Sequence, residues 1–253
     1  MRYAEVQYLE LRKFNGKTHN GLNRKKETMT QIKTLTIRFN LPLHHSELPS
    51  FRGAIIAAVP SGNLLFHNHD GTTLRYAYPL IQYKLMGGKA AIVCIGEGVQ
   101  AMAELLADGD FTINIGNRKT ELKIESISSG ETDVRQSPSP LLYHLRGWLP
   151  LNETNHALFQ STESMVGRLH LLEQILTGNI LSLLKGLGIF IDFHLQTVIT
   201  DYSAVRPVNY KHVCLTSMDL CFKANILLPE HVGLGKHSSI GAGLLTKEKQ
   251  NNL

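Results

Sequence analysis

The sequence predicts an α+β protein made of two tandem ferredoxin-like βαββαβ units. Three observations carry this. Strand-like and helix-like periodicity alternate along the chain. Gly87-Gly88 sits between two apolar runs, as in a hairpin. After a Gly-, Ser- and Pro-rich stretch, strand–helix–strand begins again. A chain of 253 residues suits one large domain or two small ones.

The elements follow in order. Ile32 to Asn40 alternates apolar and polar residues, as a half-buried strand does. Ser46 to Val59 reads as a helix, with Ser46 as N-cap and Pro49 in its first turn. Leu64 to His69 reads as a short strand. Tyr78 to Met86 and Lys89 to Ile95 form the hairpin around the two glycines. Gly96-Glu97-Gly98 opens a helix that runs to Ala107. Phe111 to Ile115 and Glu121 to Ile127 are further strands. Gly130 to Pro140 reads as a linker. Beyond it come a strand from Leu141 to Leu149, a short helix from Asn152 to Gln160 and a long one from Met165 to Lys185. The long helix carries Leu169, Leu172, Leu176, Ile180 and Leu184 on one face, and Gly186 and Gly188 end it. Ile189 to Thr200, Val208 to Thr216 and Leu220 to Leu228 read as strands. The domains are therefore expected at 29–135 and 136–253. Residues 1–28 read as an extension upstream of a start at Met29; a basic arm touching nucleic acid is the sharper alternative.

Hydrophobic residues make up 43% of the chain and charged ones 19%, which argues against disorder. The net charge of +5 permits a polyanionic partner. No apolar run is long enough for a bilayer span, so no membrane partner is expected. Cys94, Cys214 and Cys221 are too few and too scattered for a disulfide framework or a paired-cysteine zinc site. A reducing cytoplasm is the expected home.

Two segments could carry chemistry. In Leu65-Phe66-His67-Asn68-His69, two imidazoles one residue apart on a strand would share a face, roughly 6–7 Å apart. The letters also spell the name of a metal-dependent DNase family, but there the residues are scattered along a ββα finger. A His pair of this kind suits metal ligation or paired proton transfer. Metal ligation lacks a third ligand: the places where a cupin has its glutamate hold Thr73 and Leu74. Cleaving RNA without metal needs a base for the 2′-hydroxyl, an acid for the leaving 5′ oxygen and a cation for the phosphorane-like charge. Imidazoles suit both proton roles, and Arg75, Tyr76 and Lys84 are close in sequence. From the pattern alone, a pair of surface histidines at a strand end is the better account of these residues.

The second segment is Gly233-Leu-Gly-Lys-His-Ser-Ser-Ile-Gly-Ala-Gly243. It matches neither the Walker loop nor the dinucleotide fingerprint. Glycines let backbone amides approach phosphates, and Lys236 adds a charge. A flexible loop would also explain it. Arg52, Lys84 and Lys185 complete the basic set, although solvation explains the first two and helix-dipole compensation the third.

Together these pieces resemble the Cas-six type of CRISPR repeat endoribonuclease, a RAMP/RRM-like architecture, and within it subtype b. The similarity spans about Met29 to Leu245. Phe51-Arg52-Gly53, Leu65 to His69, Tyr78 to Lys84 and Gly96-Glu97-Gly98 resemble that subtype's first half. Trp148 to Asn152, Asn155, Gly178 to Leu181, and Gly233 to Lys236 with Ser239, Gly241 and Gly243 resemble its second. The resemblance implies metal-independent cleavage of precursor CRISPR RNA within repeats, leaving 2′,3′-cyclic phosphate and 5′-hydroxyl ends. It implies no cofactor and no metal. It assigns catalysis to His67 and His69, assisted by Tyr76. It assigns the repeat RNA to the Gly-rich loop: Gly233, Gly235, Lys236, His237, Ser239, Gly241 and Gly243, with Arg52, Lys84 and Lys185. Ala242 stands where a larger residue is expected, which weakens any base stacking from the loop. An interference complex and a second copy of the chain are the further partners it suggests. Two other readings stay open: a non-catalytic CRISPR-RNA-binding protein of the same fold, and a metal-dependent hydrolase using the histidine pair.

Overall fold

The computed structural model describes residues 30–59, 65–66, 69–70, 73–74, 78–107, 112–203, 205–210 and 213–248. Residues 1–28 lie outside them. The first unit begins with β1 (Thr30–Pro42), whose Leu35, Ile37, Phe39 and Leu41 alternate into one core. A 3₁₀ turn at His45–Glu47 leads into α1 (Leu48–Ala58). Ser46 lies inside this turn and does not cap it; the Glu47 carboxylate accepts the His44 amide instead, at 2.8 Å. Pro49 sits in the first turn of α1, as expected.

Strand β2 (His69–Asp70) pairs with β3 (Thr73–Leu74), His69 opposite Leu74. β4 (Ile81–Met86) and β5 (Lys89–Ile95) form the hairpin around Gly87-Gly88. Then come α2 (Glu97–Ala107), a small hairpin of β6 (Thr112–Ile115) and β7 (Arg118–Glu121), and β8 (Ile124–Val134). The sheet order is β4-β5-β1-β8, every pair antiparallel. This is the ferredoxin-like arrangement.

The stretch 130–140 is not a linker. β8 pairs with β1 as far as Val134 opposite Thr30, and β9 (Gln136–Trp148) starts after the single residue Arg135. Composition misled here because β8 is an edge strand, polar along most of its length. Pro138 and Pro140 fall where the β9–β12 register shifts, between Gln136 opposite Ile226 and Leu141 opposite Ala224. Ladder amides are not required there.

In the second unit, β9 is followed by α3 (Glu153–Ser161) and α4 (Met165–Gly186). The Asn152 side chain accepts the Asn155 amide and Ser164 accepts that of Gly167, so both helices are N-capped. Gly188, at φ +70°, closes α4, while the Ile189 amide returns to the Leu184 carbonyl. Residues 189–196, expected as strand, are irregular; Ile189 and Leu195 are buried without joining a ladder. β10 (Thr197–Tyr202), β11 (Arg206–Tyr210), β12 (Val213–Ile226) and β13 (Leu244–Lys247) complete the unit. The expected strand from Val208 to Thr216 covers the end of β11 and the start of β12, and the one from Leu220 to Leu228 covers the end of β12. The order is β10-β12-β9-β13, with β11 extending the sheet beside the first half of β12. Each ferredoxin-like order is thus repeated, but residues 227–243, between β12 and β13, hold no helix. The Gly-rich loop occupies that crossover.

The two units share a core. Ile32, Val93 and Ile95 of the first sheet belong to the same buried cluster as Leu172, Leu176, Ile180 and Leu183 of α4 and Tyr143, Leu145 and Phe222 of the second sheet. The first unit has its own core around Phe39, Phe51 and Tyr83. No helix among the described residues is long and apolar enough to cross a membrane.

Candidate functional site

The Gly-rich loop is folded tightly on itself. The Leu234 amide donates to the Gly243 carbonyl at 2.8 Å, and the Leu245 amide to that of Val232 at 2.9 Å. The amides of Ile240 and Ala242 both return to the His237 carbonyl, which makes the tip a tight turn. His237 adopts a left-handed φ of +54° at this turn.

The second unit holds the loop from one side. The Gly243 amide donates to the Gly147 carbonyl at 3.0 Å. Gly235, at φ +87°, lies against the Trp148 indole; a side chain there would begin 2.8 Å from Nε1. The indole N–H itself donates to Asn179 Oδ1 at 2.9 Å. Gly178-Asn179 and Trp148, separated in sequence, therefore meet beneath the loop.

The first unit holds it from the other side, through β4 and the residues before it. The Tyr83 amide donates to the Ser239 carbonyl at 2.8 Å, so the loop adds a short bridge to the sheet's edge. Gln82 Oε1 accepts the Gly233 amide at 2.7 Å, and the Tyr78 hydroxyl donates to the Gly233 carbonyl at 2.7 Å. Gln82 Nε2 donates to that same hydroxyl at 2.8 Å. Lys84 Nζ donates to the carbonyls of Ser238 at 2.8 Å and Ala242 at 3.3 Å. Burial pulls the Lys84 ammonium down to about 7. Burial also pushes the Tyr78 hydroxyl well above the usual tyrosine range.

These placements revise the sequence expectations. Lys84 is 1% exposed, so it is not a solvated cation, and its donors face loop carbonyls. Gly233 and Gly243 are buried, so the backbone at these two positions is not offered to a ligand. Gly235, Gly241 and Ser239 are half-buried, and Gly241 (φ +98°) packs against Leu48 at the start of α1. Lys236 is exposed and His237 half-exposed. Arg52 is half-exposed on α1, and Lys185 is exposed in the last turn of α4. Ala242 is buried.

One neighbour was not foreseen. The Tyr210 ring, at the end of β11, lies 4.1 Å from the His237 ring, centroid to centroid, tilted by 43°. Tyr210 and His237 are distant in sequence, and nothing near either one signals the approach.

Of the histidine segment, Leu65 and Phe66 form a turn, not a strand, and Phe66 is buried in the first unit's core. The strand that would have put both imidazoles on one face therefore does not run through 65–66. The backbone of His69 opens β2. His67 and Tyr76 lie outside the described residues. Among the described residues, no three His, Cys, Asp or Glu side chains gather as a metal-holding group.

Comparison with known proteins assigns the family. The model of the Cas6b N-terminal domain matches residues 30–133, and that of the Cas6b C-terminal domain matches residues 136–248. A solved structure described as a crystal structure of Cas6b superposes with a TM-score of 0.79 at 23% identity, over 87% of this chain and 100% of that one. A second, described as a CRISPR RNA processing endoribonuclease Cas6b, superposes with a TM-score of 0.67 at 22% identity and the same coverage. These two likenesses are of fold. The uncharacterized protein MJ0978 of Methanocaldococcus jannaschii is 26% identical over 156 residues, 62% of this chain and 100% of that protein. With both halves matched in order along nearly the whole described chain, this protein belongs to the Cas6b family and is an endoribonuclease that processes precursor CRISPR RNA.

Proposed function

We propose that this chain cleaves precursor CRISPR RNA within its repeats without a metal ion, by general acid–base catalysis on His67 and His69. The observation that carries the reading is the match of both Cas6b domains to a chain whose first half bears a His-x-His pair. One imidazole takes the proton from a ribose 2′-hydroxyl. The 2′ oxygen then bonds to phosphorus, the bond to the 5′ oxygen breaks, and the other imidazole gives that oxygen its proton. The products are a 2′,3′-cyclic phosphate and a 5′-hydroxyl. Tyr76 assists at the same segment. An imidazole that titrates near neutrality fills either role, and the chemistry needs no oxidant, cofactor or nucleophilic water.

The repeat RNA meets the exposed part of the Gly-rich loop, around Lys236, His237 and Ser239. Arg52 and Lys185 are the further exposed or half-exposed cations assigned to it. Phosphate contacts of this kind release counterions, so binding weakens as salt rises.

The test incubates purified protein with its own repeat RNA in EDTA, beside His67→Ala and His69→Ala. Cleavage at one position by the unmodified protein is expected, with at least a hundredfold loss in each variant, of the order of a general acid–base contribution. Direct labelling of the downstream product by polynucleotide kinase identifies the 5′-hydroxyl. Cleavage that requires a divalent ion, or that survives His67→Ala and His69→Ala combined in one chain, refutes the mechanism.

A further inference from the structure

We propose that Lys84, with Gln82 and Tyr78 beside it, is a positioning residue that holds the Gly-rich loop on the first unit, so that Lys236, His237 and Ser239 meet RNA as one preformed surface. The inference rests on the reading that this loop binds the repeat.

The three side chains come from one short stretch of the first unit and end on one short stretch of the second. They make five hydrogen bonds with the loop or with one another: Lys84 to the carbonyls of Ser238 and Ala242, Gln82 and Tyr78 to the two backbone groups of Gly233, and Gln82 to the Tyr78 hydroxyl. Lys84 cannot reach a phosphate without giving up its carbonyls, because it is 1% exposed. Burying an ammonium is unfavourable, and an apolar side chain would fill the same space without that penalty. What the ammonium adds is direction. It takes carbonyls from both limbs of the tip turn, on either side of Ser239, Ile240 and Gly241, and fixes that turn against β4. Gly233 has room for no side chain, since its first atom would lie 2.9 Å from the Ala242 carbonyl oxygen and 2.8 Å from Ser238 Cβ, as well as 2.5 Å from Nζ. A loop this rich in glycine loses much chain entropy when ordered. Ordering it within the protein removes that loss from the binding step.

The experiment measures repeat-RNA affinity across a salt series, with single-turnover cleavage at saturating RNA, for Lys84→Met and Lys236→Ala. Lys84→Met should bind roughly tenfold more weakly, the effect of moving about 1.4 kcal/mol of ordering onto binding. Its salt slope and its rate at saturation should stay unchanged. Lys236→Ala should lower the slope by about one, as loss of a direct phosphate contact does. A slope lowered by about one in Lys84→Met would show a direct contact and overturn the inference. So would unchanged affinity with cooperative melting retained. If Lys84→Met does not fold, Tyr78→Phe removes only the hydroxyl between Gln82 and Gly233. A smaller loss of affinity at constant slope then supports the inference, and no loss overturns it. If Lys236→Ala alters neither affinity nor slope, the loop is not the RNA surface and both readings fall. If Lys236→Ala behaves as expected and Lys84→Met does nothing, only the positioning role falls.

Discussion

Gly243→Ala should be the most damaging single methyl group that can be added to the Gly-rich loop, for two separable reasons. Gly243 sits at φ +62°, where an L-residue is strained by roughly 1–2 kcal/mol. The added carbon would also overlap the Leu234 carbonyl oxygen and lie 2.9 Å from the Leu234 carbonyl carbon. Those are backbone atoms and cannot rotate aside. Relief requires the two limbs of the loop to separate, which breaks the Leu234–Gly243 hydrogen bond and strains the Leu245–Val232 one. Each such bond contributes about 1 kcal/mol. The sum is about 2–4 kcal/mol, or roughly 9 °C in Tm for a chain of this size. Gly188→Ala is the control. Its φ is +70°, but nothing lies within 4 Å of the added carbon. It should show the conformational part alone, about 1–2 kcal/mol and about 4 °C. Thermal melts of both variants by circular dichroism decide the matter. If the two midpoints fall together, the packing of Gly243 against Leu234 is not what requires glycine there, and the account of the loop is wrong.

Other outcomes follow from buried groups. The folded protein gives up the Lys84 proton near pH 7 while the unfolded chain keeps it to the usual lysine range, so the unfolded state binds more protons in between. Stability should therefore rise from pH 7 to pH 9 by up to about 1.4 kcal/mol per unit relative to Lys84→Met, in urea titrations at each pH; equal profiles for the two proteins would reject the burial of a charge at this site. Asn179→Leu should destabilise by about 1–3 kcal/mol, because it leaves the buried Trp148 N–H unpaired. Trp148 is the single tryptophan, so its emission should shift in the same variant, and an unmoved spectrum would count against the contact. A thiol reagent should label Cys214, which is exposed, well before Cys94, whose thiol burial pushes far up; equal labelling rates in the native protein would contradict the core.

The sequence was most legible where a single face carries the fold. β5 shows its own limits because Gly87-Gly88 and Gly96 bracket it, and α4 shows its own through a leucine stripe and the glycines that end it. It was least legible where burial comes from a distant partner. Every residue from Ile81 to Lys84 is buried, on both faces of β4. Tyr83 turns to the first unit's core, while Gln82 and Lys84 turn to a loop some 150 residues further on. Nothing near Lys84 in sequence distinguishes it from a solvated lysine. The polar stretch Gly130–Pro140 misled for the opposite reason: an edge strand and a register shift are both compatible with linker composition. Residue type and spacing singled out the histidine pair, but only the family resemblance made it the catalytic candidate, and its strand reading failed at Leu65-Phe66, where the chain turns to bury a phenylalanine.

The reason for the glycines also changes. Read locally, a run of glycines beside a lysine suggests backbone laid open to phosphate. In the fold, Gly233 and Gly243 are buried, and Gly235 is pressed on an indole. Their lack of a side chain is required by the Ala242 carbonyl, Leu234 and Trp148, not by a ligand. The loop stands where a ferredoxin-like unit has its second helix, and a helix could not satisfy Gln82, Lys84 and the Tyr83 amide at once. Its own amides and carbonyls would already be paired internally. An irregular loop leaves them free to bond across the joint between the two units. The glycines therefore make the joint, and the joint presents Lys236 and His237. On this view a substitution at Gly233 should weaken RNA binding through the loop's placement, although the residue itself is out of reach of any RNA.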